Sequence, residues 1–234
     1  MTPALYLIPV TLGNPDFRRV LPAYNLAVIA TIRHFIVEDV RSARRFLRLI
    51  DRDFPIDDCR FHEMGKHADT ALFAAALQPL RDGSPMGVIS EAGCPAVADP
   101  GADIVAIAQR EGLPVVPLVG PCSMLMAVMA SGLNGQGFAF NGYLPVDEAD
   151  RAKRIRQLEA RALNEHQTQL FIETPYRNAK LFSALLRNLR PATRLCVAAG
   201  ITTPDEWIRT LTVSQWHKQT LPDLSKIPAI FLIG

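Results

Sequence analysis

Short apolar runs alternate with longer amphipathic stretches through the first half of the chain. LYLIPV (5–10), HFIVED (34–39), MGVIS (86–90) and LPVVPLV (113–119) read as strands. The stretches between them, 18–32, 40–52, 67–82 and 101–111, carry helical periodicity. Strand, helix, strand in sequence predicts parallel strands covered by helices on both faces. In 40–52, Val40, Ala43, Leu47 and Ile50 form an apolar stripe. Arg41, Arg44, Arg45 and Arg48 fall on a different side, giving this helix an all-arginine face. After about residue 120 the pattern changes. A helix (122–132) leads to FAFNGYL, a charged helical stretch (147–165), QLFIE (169–173) and a helix at 176–189. Three closing runs follow, RLCVAA, WIRTLT and PAIFLIG, and strands in succession predict a mixed sheet. Two α/β domains result, residues 1–117 and 118–234.

Composition narrows the class without naming it. The 234 residues are 49% hydrophobic and 21% charged, enough for a large core and too apolar for disorder. A net charge of +2 selects no partner by itself, though it permits a local basic patch. Cysteines 59, 94, 122 and 196 form no CxxC pair, and the opening MTPALYLIPV lacks a basic leading segment. Reduced thiols in a cytoplasmic protein are therefore expected. The longest greasy stretch, MLMAVMASGL, falls well short of the roughly 20 helical residues that span a bilayer. No membrane partner is expected.

Neither GxGxxG nor GxxxxGK[ST] is present. HEMGKH (62–67) spaces its histidines five apart, about 140° around a helix, so they would not share a ligand face. They are expected to be ordinary loop residues, and no metal is expected. What remains are irregular loops just after strands: TLGNPD (11–16), SEAGCPAVADPG (90–101) and VGPCSM (119–124). In open parallel sheets, ligands bind beyond the carboxyl ends of the strands. Glycines let backbone approach a ligand closely, and exposed N–H groups hold anionic atoms. Any one of these loops reads as a turn; three at corresponding strand ends point to a binding site.

LYLIPVTLGNPD, GVISEAGCPAVADPG, VVPLVGPCSMLMAVMASGL, FAFNGYLP and TQLFIETPYR occur in this order and spacing. Together they resemble the tetrapyrrole-methylase superfamily of S-adenosylmethionine-dependent methyltransferases, the class III type. The nearest branch is that of the ribosomal RNA small subunit methyltransferase I type, which methylates a cytidine ribose 2′-hydroxyl. The resemblance implies two α/β domains, a homodimer, S-adenosylmethionine in the trough between the domains, and ribosomal RNA or the small ribosomal subunit as partner. By the same resemblance, the cofactor residues are Pro9, Leu12, Gly13, Ser90, Glu91, Ala92, Gly93, Pro95, Ala98, Gly120, Pro121, Cys122, Ser123, Tyr143, Leu144, Glu173 and Thr174. Substrate residues are Glu38, Asp39, Arg41, Arg44, Arg48 and Arg177. No catalytic base is identified.

The chemistry suits such loops. A sulfonium cofactor needs an apolar slot for adenine, N–H donors for its carboxylate and oxygens near its positive sulfur. Direct methyl displacement depends mainly on alignment. The chain also departs from the branch. Glu91 and Cys94 stand where the branch reads SDAG and TP, EDVRSA (38–43) replaces EDTRHT, and AAGITT (198–203) replaces ARELTK. Two alternatives follow: methylation of a tetrapyrrole or other small molecule, and a degenerate S-adenosylmethionine-binding regulatory protein. The arginine row can track phosphates, or be a solvated face with Glu38 and Asp39 at the positive helix end. Glu173 has a structural rival reading as the ion-pair partner of Arg177.

Overall fold

The computed structural model describes residues 2–64, 70–220 and 223–234. His67 and the expected helix start at 67–69 lie outside the described residues. The chain divides into two compact units, Met1–Cys122 and Ser123–Gly234.

The first unit holds β1 (Leu5–Ile8), β2 (His34–Val37), β3 (Arg60–Glu63), β4 (Met86–Ile89) and β5 (Val115–Pro117). They form one sheet in the order β3-β2-β4-β1-β5, every pair parallel. The central strands β1, β2 and β4 are buried along nearly their whole length, as parallel strands between two helix layers must be. Alternate residues feed opposite faces. Tyr6, Ile8, Phe35 and Val37 pack with α1 (Ala23–Ile29) and α2 (Val40–Ile50) through Val28, Ile29, Ala43 and Leu47. Leu5, Ile36, Met86 and Val88 pack on the other side. Their partners on α3 (Thr70–Ala76), α4 (Gln78–Arg81) and α5 (Ala102–Arg110) include Phe73, Leu80, Ile104 and Ile107.

Three expectations change. His62, expected in a loop, is a strand residue, because RFHE pairs with β2 as the edge strand β3. Its mostly polar, half-exposed residues give no apolar run to detect. The helix expected at 18–32 contracts to Ala23–Ile29 because Pro22 stands at its N-cap. On α2 the buried stripe is Ala43, Phe46 and Leu47, with Val40 and Ile50 only half-buried. The four arginines of α2 are at least partly exposed, as the periodicity requires.

The second unit begins with α6 (Ser123–Ser131) and contains β6 (Phe138–Tyr143), α7 (Glu148–Asn164), β7 (Thr168–Glu173) and α8 (Asn178–Asn188). β8 (Arg194–Ala199), β9 (Trp207–Thr212), the short α9 (Val213–Trp216) and β10 (Ala229–Ile233) complete it. The sheet order is β6-β7-β10-β8-β9, with β6–β7 parallel and the other pairs antiparallel. The sheet is mixed, as the succession of strands predicts. Ile155, Leu158, Leu181 and Leu185 belong to one buried cluster with Phe171, Val197, Phe231 and Trp216. Glu159 on α7 is buried and accepts from Arg190 N (2.7 Å) and the Thr193 hydroxyl, tying that helix to the turn before β8.

In the first sheet β5 lies beside β1, which brings the loops that follow them together. A Cβ built on Gly120 would fall 2.2 Å from Pro9 Cγ. Neither a proline ring nor that backbone yields easily. Gly120→Ala should therefore destabilise the chain by about 1–3 kcal/mol through overpacking. Where an alanine fits, the same change instead stabilises by up to about 1 kcal/mol. Urea unfolding decides, and an unchanged or raised midpoint would contradict the packing assigned to this glycine.

Candidate functional site

At the carboxyl edge of the first sheet, three loops meet. Val10 N donates to Gly93 O at 2.9 Å, joining the loop after β1 to the loop after β4. Cys94 Sγ donates to Pro121 O at 3.5 Å, joining the β4 loop to the loop after β5. The buried Asn25 of α1 donates from Nδ2 to Val119 O at 2.7 Å and so pins that third loop. Gly93 lies at φ +68, where an added Cβ would stand 3.2 Å from Leu12 Cδ2 and 3.4 Å from Pro121 O. Glycine is required there both by the left-handed backbone and by the closeness of its neighbours. Ala96 and Ala98 in the same loop also hold positive φ, at 65° and 62°. Non-glycine residues take that conformation only where their surroundings impose it.

Charge is unevenly distributed around this clasp. Glu38 Oε2 accepts from Glu91 N at 3.0 Å, drawing the end of β2 to the β4 loop. Glu91 then borders three hollows. One of about 400 Å³ is lined by Val10, Gly13, Arg45, Phe46, Ile89 and Ser90 among others. A second of about 520 Å³ is acidic, lined by Glu38, Asp39, Glu63 and Asp103 together with Met64, Phe73 and Gly101. The third, an open cleft of about 740 Å³, is lined by Asp39, Val40, Arg41 and Arg44. Asp39 caps α2, accepting from Ser42 N at 2.6 Å, and hydrogen bonding to Ser42 lowers its pKa below the usual carboxylate range. Burial drives the Asp99 pKa the other way, up to about 6, helped by the nearby Glu38 and Glu91 charges and opposed by a hydrogen bond with Ser90. Burial also raises the Cys94 thiol above its ordinary value.

Pro9, Leu12, Gly13, Ser90, Glu91, Ala92, Gly93, Pro95, Ala98, Gly120, Pro121 and Cys122 all lie on these three loops. Of the arginines, Arg41 and Arg44 line the open cleft, whereas Arg48 donates to Arg52 O beyond the helix. Arg44 also sits 3.5 Å from Asp57, both groups being exposed. The remaining candidates belong to the second unit. Ser123 opens α6, Tyr143 is exposed at the end of β6, and Leu144 is buried in the hydrophobic cluster. Glu173 pairs with Arg177 at 2.7 Å, its Oε1 also accepting from Thr174 N at 2.7 Å. The ion pair that rivals a ligand role for Glu173 is formed.

Sequence reasoning passed over Asp99, Arg45 as a lining residue, and Asn25. Asp99 had a signal in its setting, a carboxylate inside a Gly/Pro loop. Asn25 had another, an amide on the buried side of an apolar helix.

A family profile for tetrapyrrole (corrin/porphyrin) methylases matches residues 4–216. The chain belongs to that family. Among the methylases similar to it is the ribosomal RNA small subunit methyltransferase I of Pseudomonas aeruginosa, 28% identical over 94% of this chain and 73% of that protein. The enzyme of the same name from Mesorhizobium japonicum is 32% identical over 91% of this chain and 68% of that protein. Solved structures share the fold. The methyltransferase CobJ superposes with a TM-score of 0.62 at 17% identity, covering 99% of this chain and 93% of its own. Cobalt precorrin-4 methyltransferase CbiF gives 0.58 at 17% identity over 99% and 95%. The uroporphyrin-III C-methyltransferase of Thermus thermophilus, solved with S-adenosylhomocysteine, gives 0.52 at 19% identity over 99% and 97%. The fold of this methylase is therefore the one its sequence motifs resemble.

The raised Asp99 pKa makes a prediction about pH. Between the ordinary value of 3.8 and about 6, the folded chain holds a proton that the unfolded chain has released. Stability from the protonated form is complete below the lower value and is lost as pH rises to the upper one. Asp99→Asn, neutral at every pH, should raise Tm relative to wild type near about pH 7.5, and the difference should shrink toward about pH 4. Thermal unfolding across that range checks it. A difference independent of pH would contradict the burial assigned to Asp99.

Proposed function

We propose that this methylase transfers a methyl group from S-adenosylmethionine to ribosomal RNA of the small subunit, at a cytidine ribose 2′-hydroxyl. The observation that carries the reading is the position of Glu91, which borders both an acidic hollow and an arginine-lined cleft. A cationic sulfonium is favoured beside carboxylates, and phosphates are favoured beside arginines. The two ligand chemistries thus meet at one loop.

The loops fit the cofactor. Close packing around Gly93 leaves little room for a side chain at that position, and Val10, Phe46, Leu49 and Ile89 offer apolar wall for an adenine. Pro9, Leu12, Gly13, Ser90–Gly93, Pro95, Ala98 and Gly120–Cys122 are the proposed cofactor residues in the first unit, with Ser123, Tyr143, Leu144, Glu173 and Thr174 proposed from the second. Bound S-adenosylmethionine supplies an electrophilic methyl on a positive sulfur. The chain's own part is to hold the acceptor oxygen in line with it, since alignment is worth several kcal/mol in a displacement of this kind. Glu38, Asp39, Arg41, Arg44, Arg48 and Arg177 are proposed to position the RNA. A homodimer and a cytoplasmic setting belong to the same proposal. No helix among the described residues is long and apolar enough to cross a membrane.

The structural neighbours named for corrin and porphyrin substrates keep a second reading in view, because tetrapyrrole carboxylates also suit arginines. Labelled methyl transfer to small-subunit RNA, against tetrapyrrole acceptors, separates the two. The RNA should be labelled and the tetrapyrroles should not. The Arg41→Glu/Arg44→Glu double variant should keep its affinity for S-adenosylhomocysteine while binding RNA far more weakly. Its log–log salt slope should fall by roughly 0.7–0.9 for each phosphate the variant no longer neutralises. Tetrapyrrole labelling alone would overturn the substrate. Absence of any transfer, with cofactor binding retained, would favour a regulatory binding protein.

A further inference from the structure

Arg151 is 4% exposed, yet no carboxylate among the described residues lies within ion-pair distance of it. It stands in the first turn of α7, and its Nη1 donates to Val146 O at 2.9 Å, with Pro145 O at 3.4 Å. Its Nε and Nη2 are buried and find no protein acceptor among the described residues. Arg151 lines a small hole of about 20 Å³ with Glu173, Arg177, Lys180, Leu181 and Val146. The carboxylate in this lining, Glu173, is paired with Arg177 instead, its Oε1 accepting from Arg177 Nε and Nη2 and from Thr174 N. Arg177 and Glu173 thus offset each other, which leaves Arg151 and Lys180 as the cations beside the hole with no carboxylate partner among the described residues.

A buried guanidinium with two unused donors is costly unless an acceptor completes it. The hole has room for about one water-sized group, so one oxygen fits and a whole polyatomic anion does not. Charge-assisted bonds from guanidinium to an anionic oxygen are among the strongest available to a protein. Lys180 is exposed beside the hole and can meet the remainder of the same anion outside it.

We propose that Arg151, Arg177 and Lys180 form an anion subsite that takes one oxygen of a phosphate group. The subsite stands on this geometry; that the phosphate belongs to the RNA substrate rests on the function proposed above. The position also gives Arg151 a reason to be arginine, where a buried apolar residue would close the hole without any electrostatic penalty.

Inorganic phosphate is the first probe, followed by phosphorus NMR line broadening at constant ionic strength with chloride as the replacement anion. Wild type should show saturable binding, Arg151→Met should abolish it, and Lys180→Glu should weaken it roughly tenfold, the loss of one charge-assisted bond. Should Arg151→Met fail to fold by circular dichroism, the exposed Lys180→Glu carries the test. Wild type that binds no phosphate, or variants that bind it as wild type does, would overturn the subsite and leave a water in the hole. Two further titrations of Lys180→Glu identify the source. Weaker small-subunit RNA binding with a salt slope lowered by roughly 0.7–0.9 supports the RNA phosphate. Unchanged RNA binding in a variant that no longer binds phosphate overturns that source while the subsite stands. Weaker S-adenosylhomocysteine binding would reassign the oxygen to a cofactor carboxylate and overturn the phosphate.

Discussion

The first unit depends on a close clasp of three loops at one end of its sheet. Val10 bonds to Gly93, Cys94 reaches Pro121, and Gly120 lies so close to Pro9 that a single methyl group has no place. The space left at these junctions is too small for added side chains, which explains the crowding of glycine and proline between a core strand and a core helix. A plainer connection would be shorter, but it would leave the strand ends unjoined. Loops that are locked together in this way also present a fixed surface, with little ordering left for a ligand to supply.

That fixed surface is electrostatically divided. The Glu38 carboxylate is engaged by the Glu91 amide, Asp39 caps α2, and burial presses Asp99 toward its neutral form. The first two turns of α2, which Asp39 caps, then present Arg41, Arg44 and Arg45. Acidic and basic surfaces are brought together by the junction of β2 with α2, with Glu91 opposite. A cation and a polyanion can use such an edge side by side without competing for one set of charges. Departures such as Glu91 and Cys94 lie within this arrangement: Glu91 adds to its acidic side, and Cys94 fastens two of its loops.

Short continuous apolar runs and period-3.6 patterns made both sheets and most helices readable in the sequence, because β1, β2, β4 and β10 are almost wholly apolar. β3 escaped, since an edge strand built from Arg60, Phe61, His62 and Glu63 tolerates polarity and shows no period. The site loops were readable from glycine, proline and position after a strand. Their internal couplings were not. Nothing in the order of residues says that Gly120 faces Pro9, that Glu38 takes the Glu91 amide, or that Asn25 reaches Val119. Those facts depend on which strands become neighbours. Arg151 was unreadable for a different reason: an arginine on a charged helix looks solvated until packing encloses it.

Hydrogen exchange of the full chain with and without S-adenosylhomocysteine tests the central claim, that the three-loop clasp holds the cofactor, most directly. Amides in 9–14, 90–101 and 119–122 should exchange about tenfold more slowly when the ligand is bound, because opening of these loops would require its release. Saturated ligand with exchange in all three segments unchanged would contradict the claim and move the site elsewhere.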